Sequence, residues 1–297
     1  MVEQSPIGLL ILVDPCHKSP HPVGKYDRIQ PYPTWVPIHL GLLSRNKDLC
    51  AVGLCIHLEG ANTAGKLYGI SVGPGDPGLL TLKAKDILDR CDVIAYPVKT
   101  AGEESVALNI IKPNVDISSK EVKEYVFSMN PDYAEREKGW KKAFDDIAST
   151  LDSGKDVAMI TLGDLSIFST YMRIDQMIKG MGFETALVPG VPSFCHGASL
   201  AGIPLTMGEE SLVVIPFNTD KFKELENALG NYENIVVMKA FKHVQEIADL
   251  VGSKGYDPSC ITVMSNIGMK DQYIGPVVKD REYGYFTTLL IKKEETE

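Results

Sequence analysis

The sequence predicts an α/β protein of two α/β domains, and three observations predict it. From Lys66 onward, short strand-like apolar runs alternate with stretches of helical periodicity. One run, VAMITL at 157–162, is apolar on both of its faces, as a parallel strand covered by helices on each side must be. Beyond residue 211 the strands are joined by short, turn-rich links, which predicts a mixed second sheet.

The elements follow in order. Residues 67–72 read as a strand, and 82–91 as a helix with apolar residues at 84, 87, 88 and 91 on one face. Residues 93–97 form the next strand. A helix over 133–153 stops at Gly154. Strand 157–162 leads into a helix from about 166 to 179, a strand at 184–188 and a helix at 193–201. In the last part, strands are expected at 212–216, 235–238, 261–264 and 285–291, with helices at about 221–229 and 242–251. The junction near 208–211 divides this body into domains at 66–209 and 210–297.

Residues 1–65 differ in character. They hold seven of the eighteen prolines and balance five basic against five acidic residues, so the net charge of −9 lies in 66–297. The segments PCHKSPHPVG and RIQPYPTWVP have no periodicity and break any element with proline. Cys16, His17, His21, Cys50, Cys55 and His57 are zinc-type ligands, which leaves a metal- or corrinoid-binding module open as an alternative. The spacing C-x4-C-x-H is not that of a standard finger, and no metal is expected. The segment reads as an extension.

The remaining composition narrows the classes. A hydrophobic share of 44% with 23% charged residues suits a globular protein. The acidic balance excludes a nucleic-acid binder that works through a broad basic surface. The apolar run at 8–13 is too short to span a bilayer, and no basic stretch precedes it as in a secretory signal. Six scattered cysteines form no disulfide framework, so a cytoplasmic protein without a membrane partner is expected.

The stretch GPGDPG at 73–78 satisfies the dinucleotide fingerprint G-x-G-x-x-G between a strand and a helix. Its chemistry does not fit. Pro74 and Pro77 offer no N–H, and Asp76 puts a negative charge where a pyrophosphate would lie. The next strand, VIAYPVK at 93–99, ends without the acidic residue that would hold a ribose. Asp76 and Pro77 instead suit a helix cap and first position. A ligand is better placed at the strand ends TLGDLSIFSTY (161–171) and VPGVPSFCHGASLAGIPL (188–205). There Gly163 and Gly190 admit close approach, while Asp164 and Ser193 are polar groups that also serve as ordinary helix caps.

Taken together, YGISVGPGDPGLLTLKA, VIAYPVK, VAMITLGDLSIFSTY and the 188–205 stretch resemble the tetrapyrrole methylases in order and spacing. Residues 96–108 and the two strand-end stretches look most like the precorrin-2 C20-methyltransferases, cobalt-precorrin-2 enzymes included. Uroporphyrinogen-III methylases and diphthine synthases share the fold and stand as the alternative. Two departures from the family pattern are Leu165 in place of a proline and Pro192 in place of a threonine.

The resemblance implies two α/β domains with S-adenosylmethionine in the cleft between them, a tetrapyrrole substrate and a homodimer. Matched to the family's positions, the cofactor site comprises Pro74, Gly163, Asp164, Ile167, Ser193 and Phe194. Met238, Lys239 and Ile267 join it from the second domain. Gly75, Asp76, Lys99 and Lys242 fall on the substrate side, and Lys99, Lys239, Lys242 and His243 are the cations available to substrate carboxylates. No residue is singled out as catalytic.

Overall fold

The computed structural model describes residues 64–98, 100–127, 133–218 and 221–293. The expectations for residues 1–63, including the candidate metal ligands, and for Lys99 lie outside the described residues.

Five parallel strands form the first sheet: β1 (Leu67–Ser71), β2 (Val93–Val98), β3 (Glu121–Val126), β4 (Val157–Thr161) and β5 (Thr185–Val188), in the order β3-β2-β4-β1-β5. Strand β4 is buried from Val157 to Ile160 because helices cover both faces. Val157 and Met159 face α3 (Tyr133–Asp152) and α4 (Tyr171–Gly180), while Ala158 and Ile160 face α1 (Leu82–Arg90) and α2 (Val106–Ile111). Each such Val or Ile burial contributes about 1.5–3 kcal/mol. Neighbours β1 and β4 send their connections in opposite directions, to β2 and to β5. That arrangement opens a crevice at the carboxyl ends of these strands.

The second sheet is mixed, in the order β6-β7-β10-β8-β9: β6 (Leu212–Pro216), β7 (Asn234–Met238), β10 (Thr287–Lys292), β8 (Ile261–Ser265) and β9 (Tyr273–Gly275). Strands β6 and β7 are parallel, and the rest pair antiparallel around β10. Helices α6 (Phe222–Asn231) and α7 (Val244–Ser253) cover one face. The other face is covered by α5 (Ser193–Ala201), the helix that follows β5 of the first sheet. Phe194 and Ala198 of α5 pack with Val236, Met264 and Leu290. The chain has thus crossed to the second sheet well before β6 begins.

Three differences from the sequence reading have physical causes. The helix expected from about 166 begins at Tyr171, because Phe168 is left-handed (φ +49) and cannot sit inside a helix. Helix α7 starts at Val244, after a reversal in which Lys239 is left-handed (φ +64) and the His243 N–H donates to the Ala240 carbonyl. Helix α5 begins as expected, but its cap is Pro192, so Ser193 is the first helical residue rather than the cap.

Candidate functional site

A cavity of about 670 Å³ lies where the carboxyl ends of β1, β2 and β4 face the ends of β7 and β8. The first sheet presents backbone to it. Gly73 and Gly163 exchange hydrogen bonds, N–H to carbonyl at 3.2 and 2.8 Å, which ties the β1 loop to the β4 loop. Gly163 is left-handed (φ +71), and nothing lies within 4 Å of where a Cβ would stand. A ligand can therefore lie directly on this turn. Gly190 serves close approach of another kind. A Cβ there would stand 2.6 Å from the Ser71 Cβ and 2.7 Å from the Gly163 carbonyl oxygen.

Asp164 joins these loops. One carboxylate oxygen accepts from the Ser166 N–H at 2.8 Å and from the Ser166 hydroxyl, and the other accepts from the Gly190 N–H at 2.8 Å. Its burial alone raises the carboxyl pKa, but these bonds outweigh it and hold the group below its ordinary value. Both oxygens are thus engaged within the protein. Nearby, the Ser71 hydroxyl accepts from the buried Leu165 N–H at 2.9 Å.

The second sheet presents side chains. Met238 of β7 and Met264 of β8 both stand opposite Thr288 of β10, forming one row across the sheet that lines the cavity. Lys239, Ile267, Tyr285 and Phe286 complete that wall. Ile267 is fixed by the first sheet's glycine loop, since Gly75 packs so closely that a Cβ would meet the Ile267 carbonyl oxygen at 2.5 Å.

The cavity therefore brings together Pro74, Gly163, Asp164, Ile167 and Ser193 from one side with Met238, Lys239 and Ile267 from the other. The Ser193 hydroxyl makes no hydrogen bond with the described residues. Four expected residues stand elsewhere. Phe194 is buried in the cluster behind Ile267. Gly75 is buried against the Ile267–Gly268 backbone. Asp76 is exposed and caps the short helical turn Pro77–Leu79, accepting from the Gly78 N–H at 2.8 Å. The Lys242 ammonium lies 5.4 Å from the Phe241 ring centre and outside the lining.

Sequence reasoning missed several lining residues. Phe168, Tyr171 and the loop 103–105 are among them. Tyr171 is almost fully buried, its hydroxyl has no partner among the described residues, and burial together with the Asp175 charge pushes its phenol pKa up. Its place was marked in the sequence only by following GDLSIFST; nothing marked loop 103–105.

Among the described residues, no group of three or more His, Cys, Asp or Glu is placed to hold a metal. No helix among them is long and apolar enough to cross a membrane.

Comparison with known proteins agrees with this architecture. The sequence profile for Tetrapyrrole (Corrin/Porphyrin) Methylases matches residues 66–278. The chain is 33% identical over 234 residues to the cobalt-precorrin-2 C(20)-methyltransferase of Salmonella typhimurium, covering 77% of this chain and 97% of that protein. It is 33% identical over 209 residues to a probable cobalt-precorrin-2 C(20)-methyltransferase of Methanocaldococcus jannaschii, covering 70% and 86%. Among solved structures, a cobalt precorrin-4 methyltransferase superposes with a TM-score of 0.61 at 21% identity, covering 79% of this chain and 98% of that one. A uroporphyrin-III C-methyltransferase from Thermus thermophilus, complexed with S-adenyl homocysteine, gives 0.57 at 17% identity, covering 77% and 92%. At these identities the structural likeness bears on the fold alone. With the profile matching residues 66–278 and the Salmonella relative covered over 97% of its length, the chain belongs to the tetrapyrrole methylases.

Proposed function

We propose that the protein transfers a methyl group from S-adenosylmethionine to C20 of precorrin-2 or of cobalt-precorrin-2, a step of cobalamin biosynthesis. One observation carries this reading: 33% identity to the Salmonella enzyme over 97% of that protein's length. The cavity's volume of about 670 Å³ is of the size small-molecule sites take. The open space over the Gly163 turn fits a cofactor that lies against backbone.

When bound, the cofactor supplies a methyl carbon made electrophilic by its sulfonium. The chain's residues position and shield. The Gly163 turn and Pro74 bear on the cofactor, with the free Ser193 hydroxyl as a donor beside them. Asp164 holds the β4 and β5 loops in place through Ser166 and Gly190. Ile167, Met238 and Ile267 exclude water, and Phe194 supports Ile267 from behind. The electron-rich macrocycle is itself the nucleophile, so the protein contributes mainly alignment at an attack distance of about 3–3.5 Å. Outside the lining, Gly75 and Asp76 shape the β1 loop, and we propose Lys242 as a further cation for substrate carboxylates.

Incubation with labelled S-adenosylmethionine and either acceptor, followed by mass spectrometry, tests the reading. A singly methylated product is expected from at least one acceptor. Calorimetry is expected to show S-adenosylhomocysteine binding and no NAD binding, and the reverse pattern would overturn the assignment. We further propose that 66–209 and 210–297 are the two domains and that the preceding segment is an extension dispensable for methyl transfer. A chain beginning at Ala64, which keeps the Gly65 N–H bond to the Leu151 carbonyl, is expected to retain activity in the same assay. We also place the protein in the cytoplasm as a homodimer. Light scattering at micromolar concentration checks the dimer, and a monomer mass would refute it.

A further inference from the structure

Lys239 follows β7 and reverses the chain toward α7 with a φ of +64. This left-handed conformation strains any residue that carries a Cβ and costs glycine nothing. Yet the position holds a lysine. Its side chain is exposed on the cavity wall and forms no hydrogen bond or ion pair with the described residues. Among the described residues lining the cavity it is the one basic side chain, and Glu103, Glu104 and Asp164 line the same space. Asp164 is already engaged by Ser166 and Gly190, and Glu104 accepts from the Asn109 side chain at 2.6 Å. The left-handed backbone at a residue other than glycine is therefore a cost that no contact of this side chain inside the protein offsets. Such strain at a cavity points to a ligand that completes the arrangement.

The surroundings state what kind of ligand. Tyr285 and Phe286 line the cavity beside this turn and remain 44% and 38% exposed. Their rings stand edge to face, 5.2 Å apart. A wall of exposed aromatic surface with one cation suits a flat apolar ring fringed with carboxylates.

We propose that Lys239, which the resemblance puts in the cofactor site, instead anchors a peripheral carboxylate of the tetrapyrrole while Tyr285 and Phe286 bear on the ring's apolar edge, so that Lys239 sets affinity for the methyl acceptor and not for the cofactor. The proposal rests on the function proposed above.

The test is a series of Lys239→Gln, Lys239→Arg and Lys239→Gly in the full chain. Lys239→Gln is expected to raise KM for the tetrapyrrole at least tenfold, with kcat and the Kd for S-adenosylhomocysteine changed less than twofold. Lys239→Arg should recover most of the loss. In the parent KM should rise with salt, and that dependence should flatten in Lys239→Gln. Lys239→Gly should share the raised KM while melting at or above the parent temperature, because the turn is relieved. An unchanged KM in Lys239→Gln, or a tenfold weaker S-adenosylhomocysteine Kd, overturns the proposal. Binding of an unreactive polycarboxylate porphyrin, followed by absorbance, separates the two readings. A parent protein that binds this porphyrin but methylates neither acceptor overturns the function alone. A Lys239→Gln protein that binds the porphyrin as tightly as the parent overturns the anchor.

Discussion

The two walls of the cavity are made of different materials. On the first sheet's side the chain bends at glycines, Gly73 and Gly163, and loop is bonded to loop by backbone groups and the Asp164 carboxylate. Directly after β7 and β8 of the second sheet the chain instead bends at residues that carry side chains, Lys239 (φ +64) and Asn266 (φ +52). This wall presents methionine, lysine and aromatic surface, whereas on the first side the left-handed Phe168 comes only later in the loop. A backbone wall fits one ligand shape and has few ways to vary, since backbone groups are the same whatever the residue. A side-chain wall can be retuned one residue at a time. The contrast fits the proposal made above, with the cofactor against the first wall and the acceptor against the second.

The largest effect in breaking this contrast is expected at Gly190. In Gly190→Val the new Cβ has no room between Ser71, which lies in β1, and the Gly163 carbonyl, which accepts from the Gly73 N–H. A loss of about 3 kcal/mol, or a thermal midpoint lower by roughly 10 °C, should accompany loss of S-adenosylhomocysteine binding. A parent-like midpoint would mean that the strand ends are not locked together. Gly163→Val is the next largest. Its Cβ meets open space, so the stability loss is limited to the left-handed strain of about 1–2 kcal/mol. The S-adenosylhomocysteine Kd should rise at least tenfold, about 1.4 kcal/mol. Equal affinity by calorimetry would put the cofactor elsewhere.

Asp164→Asn should act more mildly on binding, because it removes charge from a bond network and puts nothing into the cavity. Its signature is in pH. The folded-state pKa is lowered below the ordinary value of 3.8, so the carboxylate's contribution is present above that value. It is lost as pH falls through the folded value. The gap in unfolding free energy between parent and Asp164→Asn should be about 1–2 kcal/mol at pH 7 and should narrow as pH falls below the ordinary carboxylate value of 3.8. A gap that is constant with pH would show that the charge plays no part in holding Gly190.

Much of this was written legibly in the sequence. VAMITL announced a doubly covered strand because burial on both faces demands apolar residues throughout, and β4 is buried on both faces. Three elements were not read, β3, α2 and β9, the last of only three residues (Tyr273–Gly275). Strand β3, EVKEYV, lies at the sheet edge and is exposed over its first two residues, so its mixed polarity hides it. Helix α2 has six residues, too few for periodicity to register. At the site, the turns at Gly73 and Gly163 were legible because glycine adopts a left-handed backbone without strain. Asp164 was legible as a polar residue at a strand end, but its bond to Gly190, 26 residues on, depends on tertiary contact. Phe168 and the loop 103–105 reach the cavity through turns whose shape no local pattern encodes.

The crossing of α5 carries a mechanical consequence. The helix is covalently continuous with β5 of the first sheet but packed on the second, so the two halves are geared together. Widening the cleft would displace α5 with the second sheet it packs on, and the torsion would fall on residues 189–192, which begin and end with prolines that permit little rotation. Gly190, within that strap, is held by Asp164. Hydrogen exchange of the Gly190 amide thus reads the freedom of the joint, and slow exchange there would mark a cleft that breathes as one stiff clasp. The group that ties down the ligand loops is also the catch on the hinge.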